Sequence, residues 1–150
     1  MELNFDKIIR LKKIRIEKSE LSEKETSLSK PFLTDKGLIA VIYDLFVEIL
    51  NERALPPNVE SVTQRKKFIF IILYLFSPST LAGGKTVSGV REEMSRVLGI
   101  HSKTAISDNC ADVVFLYQNY GDFSADIEYL YTEILNRLKF KGLINEKAGV

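Results

Sequence analysis

The chain has 150 residues, enough for one domain whose core is large enough to stand without disulfide or metal staples. Lysine plus arginine number 21 against 20 acidic residues, so the net charge of +1 excludes any global field that would draw the protein onto nucleic acid or an anionic membrane. An apolar share of 45% and a charged share of 27% exclude wholesale disorder.

The N-terminal residues Met1-Glu2-Leu3-Asn4 carry no apolar stretch leading to a cleavage-like site, so no secretory signal is expected. Residues 7–18 hold six cations, Lys7, Arg10, Lys12, Lys13, Arg15 and Lys18, against the single acid Glu17. Their apolar residues mix helical and alternating spacing, which leaves helix and extended chain both open. Ser19 to Lys30 is rich in serine and glutamate and reads as a linker ending at Pro31. The first thirty residues therefore read as an extended or flexible basic arm, and residues 31–150 as the helical domain.

In that domain Thr34 is placed to cap a helix whose Leu38, Ile42, Leu45, Phe46, Ile49 and Leu50 form one stripe. Pro56-Pro57 forces a turn. A second helix starts near Ser61 or Thr63 and runs through the nine-residue apolar block Phe68–Phe76. That block is far short of the about 20 residues that cross a bilayer, so it reads as a central buried helix with surplus apolar surface. Ser88 is placed to cap a short helix with Val90, Met94, Val97 and Leu98 in register, closed by Gly99. Ile106, Cys110, Val113, Val114 and Tyr117 carry a fourth helix, ended by Gly121. Asp122 then opens a fifth, with Phe123, Ile127, Leu130, Tyr131, Ile134, Leu135 and Leu138 in period until Gly142. The expected fold is all-α: a compact bundle of about five helices, containing a helix-turn-helix-like pair, behind the N-terminal arm.

Chemistry-bearing constellations are few. Ser79-Thr80-Leu81-Ala82-Gly83-Gly84-Lys85-Thr86 resembles a phosphate-binding loop but has Ser79 where the first glycine belongs, and no parallel sheet to carry it. His101 is the only histidine and Cys110 the only cysteine. Neither stands at ligand or nucleophile–base spacing, and Cys110 reads as a buried thiol in a reducing compartment. No catalytic residue, metal or cofactor is expected, and the protein is read as not an enzyme.

Arg91 to Ile100 followed by His101 to Ser107 has the apolar, small, glycine and apolar order of a helix-turn-helix, slipping by one position at Ala105 and Ile106. From Thr104 to Tyr120, however, there is no lysine or arginine, while Asp108 and Asp112 would face phosphate. The nucleic-acid contacts on this reading would be Lys7, Arg10, Lys12, Lys13 and Arg15 of the arm with Ser102, Lys103, Thr104 and Asn109. Phe115, Leu116 and Tyr129, off the main stripes, and Phe70 of the greasy helix have the apolar area to anchor a neighbouring protein.

Arg65-Lys66-Lys67-Phe68 ahead of an apolar helix, the glycine-bounded helix pair, and Asp112-Val113-Val114-Phe115-Leu116-Tyr117 followed by Asn119-Tyr120-Gly121-Asp122-Phe123 carry a resemblance over residues 65–138. The chain resembles small helical proteins of bacteriophages that infect Bacteroidales, including crAss-like phages. That resemblance implies a virion structural subunit, a head-to-tail connector or ring protein that contacts itself and neighbouring structural proteins in the virion or host cytoplasm. The alternative it implies is a helix-turn-helix DNA-binding regulator.

Overall fold

A computed structural model describes residues 5–101 and 103–145, with the side chains of Lys103 and Thr104 outside the described set. The described residues form helices joined by turns, without a strand among them, and fall into two units that divide between Lys30 and Pro31.

The first unit is one helix, α1 (Phe5–Leu28), of 24 residues. The N-terminal arm stands as a unit of its own, and its conformation, open in the sequence between helix and extended chain over residues 7–18, is a continuous helix that includes the stretch read as a linker. The physical reason lies in the residues themselves. Lysine, arginine, glutamate and leucine are good helix formers, Lys13–Glu17 and Glu20–Lys24 stand four apart with opposite charge, and no glycine or proline intervenes before Pro31. None of its described residues is buried.

The second unit holds α2 (Leu38–Asn51), α3 (Val62–Phe76), the single turn α4 (Pro78–Leu81), α5 (Val90–Leu98), α6 (Lys103–Asn119) and α7 (Gly121–Phe140). Helix α3 is the axis, packed against each of the other five. This explains its lack of a polar face: Phe68, Ile69, Ile71, Ile72, Leu73, Leu75 and Phe76 are all buried because helices surround it. The stripe of α2 buries Ile39, Ile42, Leu45, Phe46, Ile49 and Leu50 in the same core, with Ile39 taking the buried place expected of Leu38. Helix α7 contributes Phe123, Ile127, Leu130, Ile134, Leu135 and Leu138, and α5 adds Val90 and Met94.

Helix boundaries follow local hydrogen bonding. Ser61 caps α3 by accepting from the Gln64 amide at 3.3 Å. Thr34 and Ser88 do not cap. Before α2 the Asp35 carboxylate takes the Gly37 amide at 3.0 Å, and before α5 the chain turns at Gly89. Helix α5 ends at Gly99 in the left-handed conformation (φ 68°), with the Ile100 amide donating to the Ser95 carbonyl at 2.9 Å and the Gly99 amide to Arg96. Gly121, expected to terminate a helix, instead begins α7; the break falls at Tyr120, whose backbone is extended.

Candidate protein interface

The second unit carries an aromatic groove of about 280 Å³ on the side where α3, α6 and α7 meet. Phe70 and Tyr74 stand four apart on α3 and present rings on one side of it, opposite Tyr117 of α6 and Tyr131 of α7. Phe70 stacks on Tyr117 with centroids 4.7 Å apart and planes 12° from parallel, whereas Tyr74 meets Tyr131 edge-on at 5.3 Å. Phe32 also stacks on Tyr74 at 5.6 Å. The one charged lining residue, Glu128, accepts a 2.8 Å hydrogen bond from the Tyr117 hydroxyl.

The Tyr117 and Tyr131 phenols are poor acids. The hydrogen bond to Glu128 raises the Tyr117 pKa, with burial and the Glu128 charge adding to it. Burial, helped by Tyr74, pushes Tyr131 up to about 12. The groove thus offers neutral ring faces and one carboxylate, a surface for an apolar anchor rather than for proton transfer or nucleophilic attack.

The four anticipated interface residues do not converge. Phe70 lines the groove, while Leu116 is half-buried and packs on the core. Phe115, 59% exposed, stands edge-on to Tyr120 at 6.4 Å, and Tyr129, 53% exposed, lies under the Arg53 guanidinium at 6.0 Å. Neither lines the groove. Tyr117 and Tyr131 read in the sequence as members of helical stripes and Tyr74 as part of the Phe68–Phe76 apolar block; the only sequence signal for a groove is the Phe70/Tyr74 spacing on a helix that has no polar face.

Several charged residues of this unit pair with one another. Asp126 of α7 takes Arg53 at 2.5 Å and Lys67 of α3 at 2.6 Å. Burial works to raise the Asp126 carboxyl, but the hydrogen bonds from Arg53 and Lys67, with their charges, prevail and hold it below its ordinary range. Arg137 reaches Glu52 at 2.6 Å and Glu48 at 3.1 Å, and Lys66 reaches Asp112 at 3.4 Å.

Among the anticipated nucleic-acid contacts, Asn109 is corrected. It is 8% exposed, and its amide donates back to the Ala105 carbonyl at 2.6 Å, because its position on α6 turns toward the core. The exposed side of α6 holds Asp108, Ala111, Asp112 and Phe115. Ser102 and the side chains of Lys103 and Thr104 lie outside the described residues. Lys7, Arg10, Lys12, Lys13 and Arg15 are exposed on α1, where the turn of about 100° per residue distributes them around the whole circumference.

The glycine loop after α3 closes on itself. The Gly84 amide donates to the Ser79 carbonyl at 2.8 Å, the Gly83 amide to Thr80 at 3.1 Å, and the Ser79 hydroxyl to the Lys85 carbonyl, so these donors are spent internally. His101 is exposed; Cys110 is half-buried, and burial raises its thiol pKa against the partial offset of the Arg91 charge. Among the described residues no group of three His, Cys, Asp or Glu side chains is arranged to hold a metal ion, and no helix is long and apolar enough to cross a membrane.

A separate candidate surface is α1 itself. Phe5, Ile8, Ile9, Leu11, Ile14, Ile16, Leu21 and Leu28 are each between 48% and 81% exposed. No family model, curated protein or solved structure matches the chain.

Proposed function

We propose that the protein works by contact and without catalysis, as an assembly subunit. The observation that carries this reading is α1, a 24-residue helix that leaves eight large apolar side chains exposed. An isolated helix draws little stability from propensity alone and most from an apolar face that something covers. An exposed apolar surface on this scale marks an interaction site. Phe115 and Tyr129, together with Phe140 at 94% exposure, extend the same argument to the second unit. The resemblance to small phage proteins makes a head-to-tail connector or ring subunit of a bacteriophage virion the specific form of the proposal, with other copies and neighbouring structural proteins as its partners.

The experiment is native mass spectrometry and light scattering of the full chain, alone and co-expressed with candidate neighbouring proteins. A defined oligomer or hetero-complex supports the reading, and a particle that stays solitary in both settings overturns it.

The alternative, a DNA-reading regulator, draws support from the order of residues around Gly99, which resembles a helix-turn-helix in sequence, and from the cations of α1. Against it stands the exposed side of α6, where Asp108 and Asp112 would oppose phosphate. Selection from random duplexes separates the two: enrichment of one operator favours the regulator.

A further inference from the structure

We infer that α1 is a self-pairing helix, which docks antiparallel on α1 of a second copy of this chain. This rests on the contact reading and names the surface and the occupant. Leu11, Ile14, Leu21 and Leu28 fall at spacings of three and seven along α1. Written as heptads, they occupy a, d, d and d, the seam of a two-stranded coiled coil, and Lys18 and Glu25 fill the remaining a positions.

Those two charges select the direction of pairing. In a parallel, in-register pair Lys18 would meet Lys18 and Glu25 would meet Glu25, like charges inside a seam. Run antiparallel about a centre between Ser19 and Glu20, the overlap of residues 11–28 spans roughly 27 Å at about 1.5 Å per residue. Leu11 then lies across from Leu28 of the second copy, Ile14 across from Glu25, and Lys18 across from Leu21. Lys18 stands about one turn from the other copy's Glu25. At the flanking g positions Glu17 faces Lys24 of the second copy, twice by symmetry.

The charge layout of the whole helix agrees. Residues 6–18 carry six cations against Asp6 and Glu17, whereas residues 19–28 carry Glu20, Glu23 and Glu25 against Lys24. A basic N-terminal half and an acidic C-terminal half oppose the helix's own macrodipole, so this order weakens a solitary helix. Two antiparallel copies set each basic half against an acidic half and oppose their macrodipoles. A membrane surface or a phosphate backbone would instead leave the acidic half facing like charge.

The test uses the full chain, by sedimentation velocity from about 10 to about 500 µM, the range in which a modest interface forms and dissociates. The wild type is expected to show a reversible dimer or an even-numbered assembly. Leu21→Glu should abolish α1 pairing. Glu17→Lys and Lys24→Glu should each weaken it about tenfold, through two pairs turned repulsive, while the double variant E17K/K24E returns to within about threefold of wild type. Parallel pairing predicts no such rescue.

Thermal melts of each variant guard against misfolding. An oligomer that persists unchanged in Leu21→Glu and in the charge variants overturns the α1 proposal and leaves the contact reading standing. A solitary wild type that also finds no heterologous partner overturns both. A wild type solitary alone, but captured by anionic vesicles or duplex DNA through α1, overturns the self-pairing.

Discussion

Asp126→Asn removes a charge from the joint that ties α2, α3 and α7 without changing the shape of the side chain. In the native protein Asp126 accepts from Arg53 at 2.5 Å and from Lys67 at 2.6 Å, and the Lys67 side chain is only 10% exposed. A hydrogen bond to a charged group contributes about 1.5–3 kcal/mol, and the Arg53 bond is discounted because its side chain, 31% exposed, can turn to water. The loss is therefore expected to be about 2–3 kcal/mol, dominated by the ammonium of Lys67 left without its anion, which for a domain of this size lowers Tm by about 10 °C. Urea unfolding followed by far-UV circular dichroism measures it.

The pH dependence supplies the refutation. Because the folded carboxyl is held below its unfolded value, its contribution is complete above about pH 4 and is lost as pH falls through the lower folded pKa. The gap between wild type and Asp126→Asn should thus be constant from pH 7 to pH 5 and shrink below about pH 4. A gap under about 0.5 kcal/mol at pH 7, or one that persists in acid, would refute the assignment.

Phe68→Ala, at the fully buried centre of α3, is expected to cost about 3–5 kcal/mol in chemical denaturation, while Phe140→Ala at the open end of α7 leaves stability within about 0.5 kcal/mol. Gly99→Ala meets open space but keeps a φ of 68°, so a loss of about 1 kcal/mol, all of it backbone strain, is expected by the same measurement. Ultraviolet titration at high pH should show one tyrosine ionising near 12, removed by Tyr131→Phe. As a raised pKa, its contribution to stability is intact below about pH 10 and lost as pH rises through the folded value, so Tyr131→Phe should lessen alkaline destabilisation.

The bundle was legible where a helix turns one side to the core and the other to solvent. The stripe of α2 and that of α7 translate almost residue for residue into buried positions, because a 3.6-residue period against a single core leaves little choice. Cap assignments were less secure. Ser61 fits, yet Thr34 and Ser88 are displaced by Asp35 and Gly89, since several polar residues within two positions of a helix start compete to satisfy the same amides. In α1 two apolar sets overlap, Phe5, Ile9 and Ile16 with Leu11, Ile14, Leu21 and Leu28, which blurs the period that would have announced a helix. The aromatic groove was out of reach for another reason. It joins Phe70, Tyr117 and Tyr131 from three helices, and each ring looks like ordinary stripe material until the crossing of those helices is known.

The distribution of charge bears on how the two functional readings divide. Where α3, α6 and α7 meet, Lys66 is engaged with Asp112, and Lys67 and Arg53 with Asp126; Arg137 is held by Glu48 and Glu52. Recruiting these cations to phosphate would break the ion pairs that hold the bundle together. DNA affinity would therefore have to come from cations outside these pairs, those of α1 among them, and each phosphate contact made there steepens the salt dependence of binding. Self-pairing of α1 draws on apolar seam positions as well as charge, and salt strengthens the first while it screens the second. Raising salt from about 50 to about 200 mM costs a protein with six to ten phosphate contacts about three to five orders of magnitude in affinity, whereas the α1 pair should weaken far less. The slope of association against salt, measured for the same molecule with DNA and with itself, thus distinguishes a helix built for phosphate from one built for its own copy.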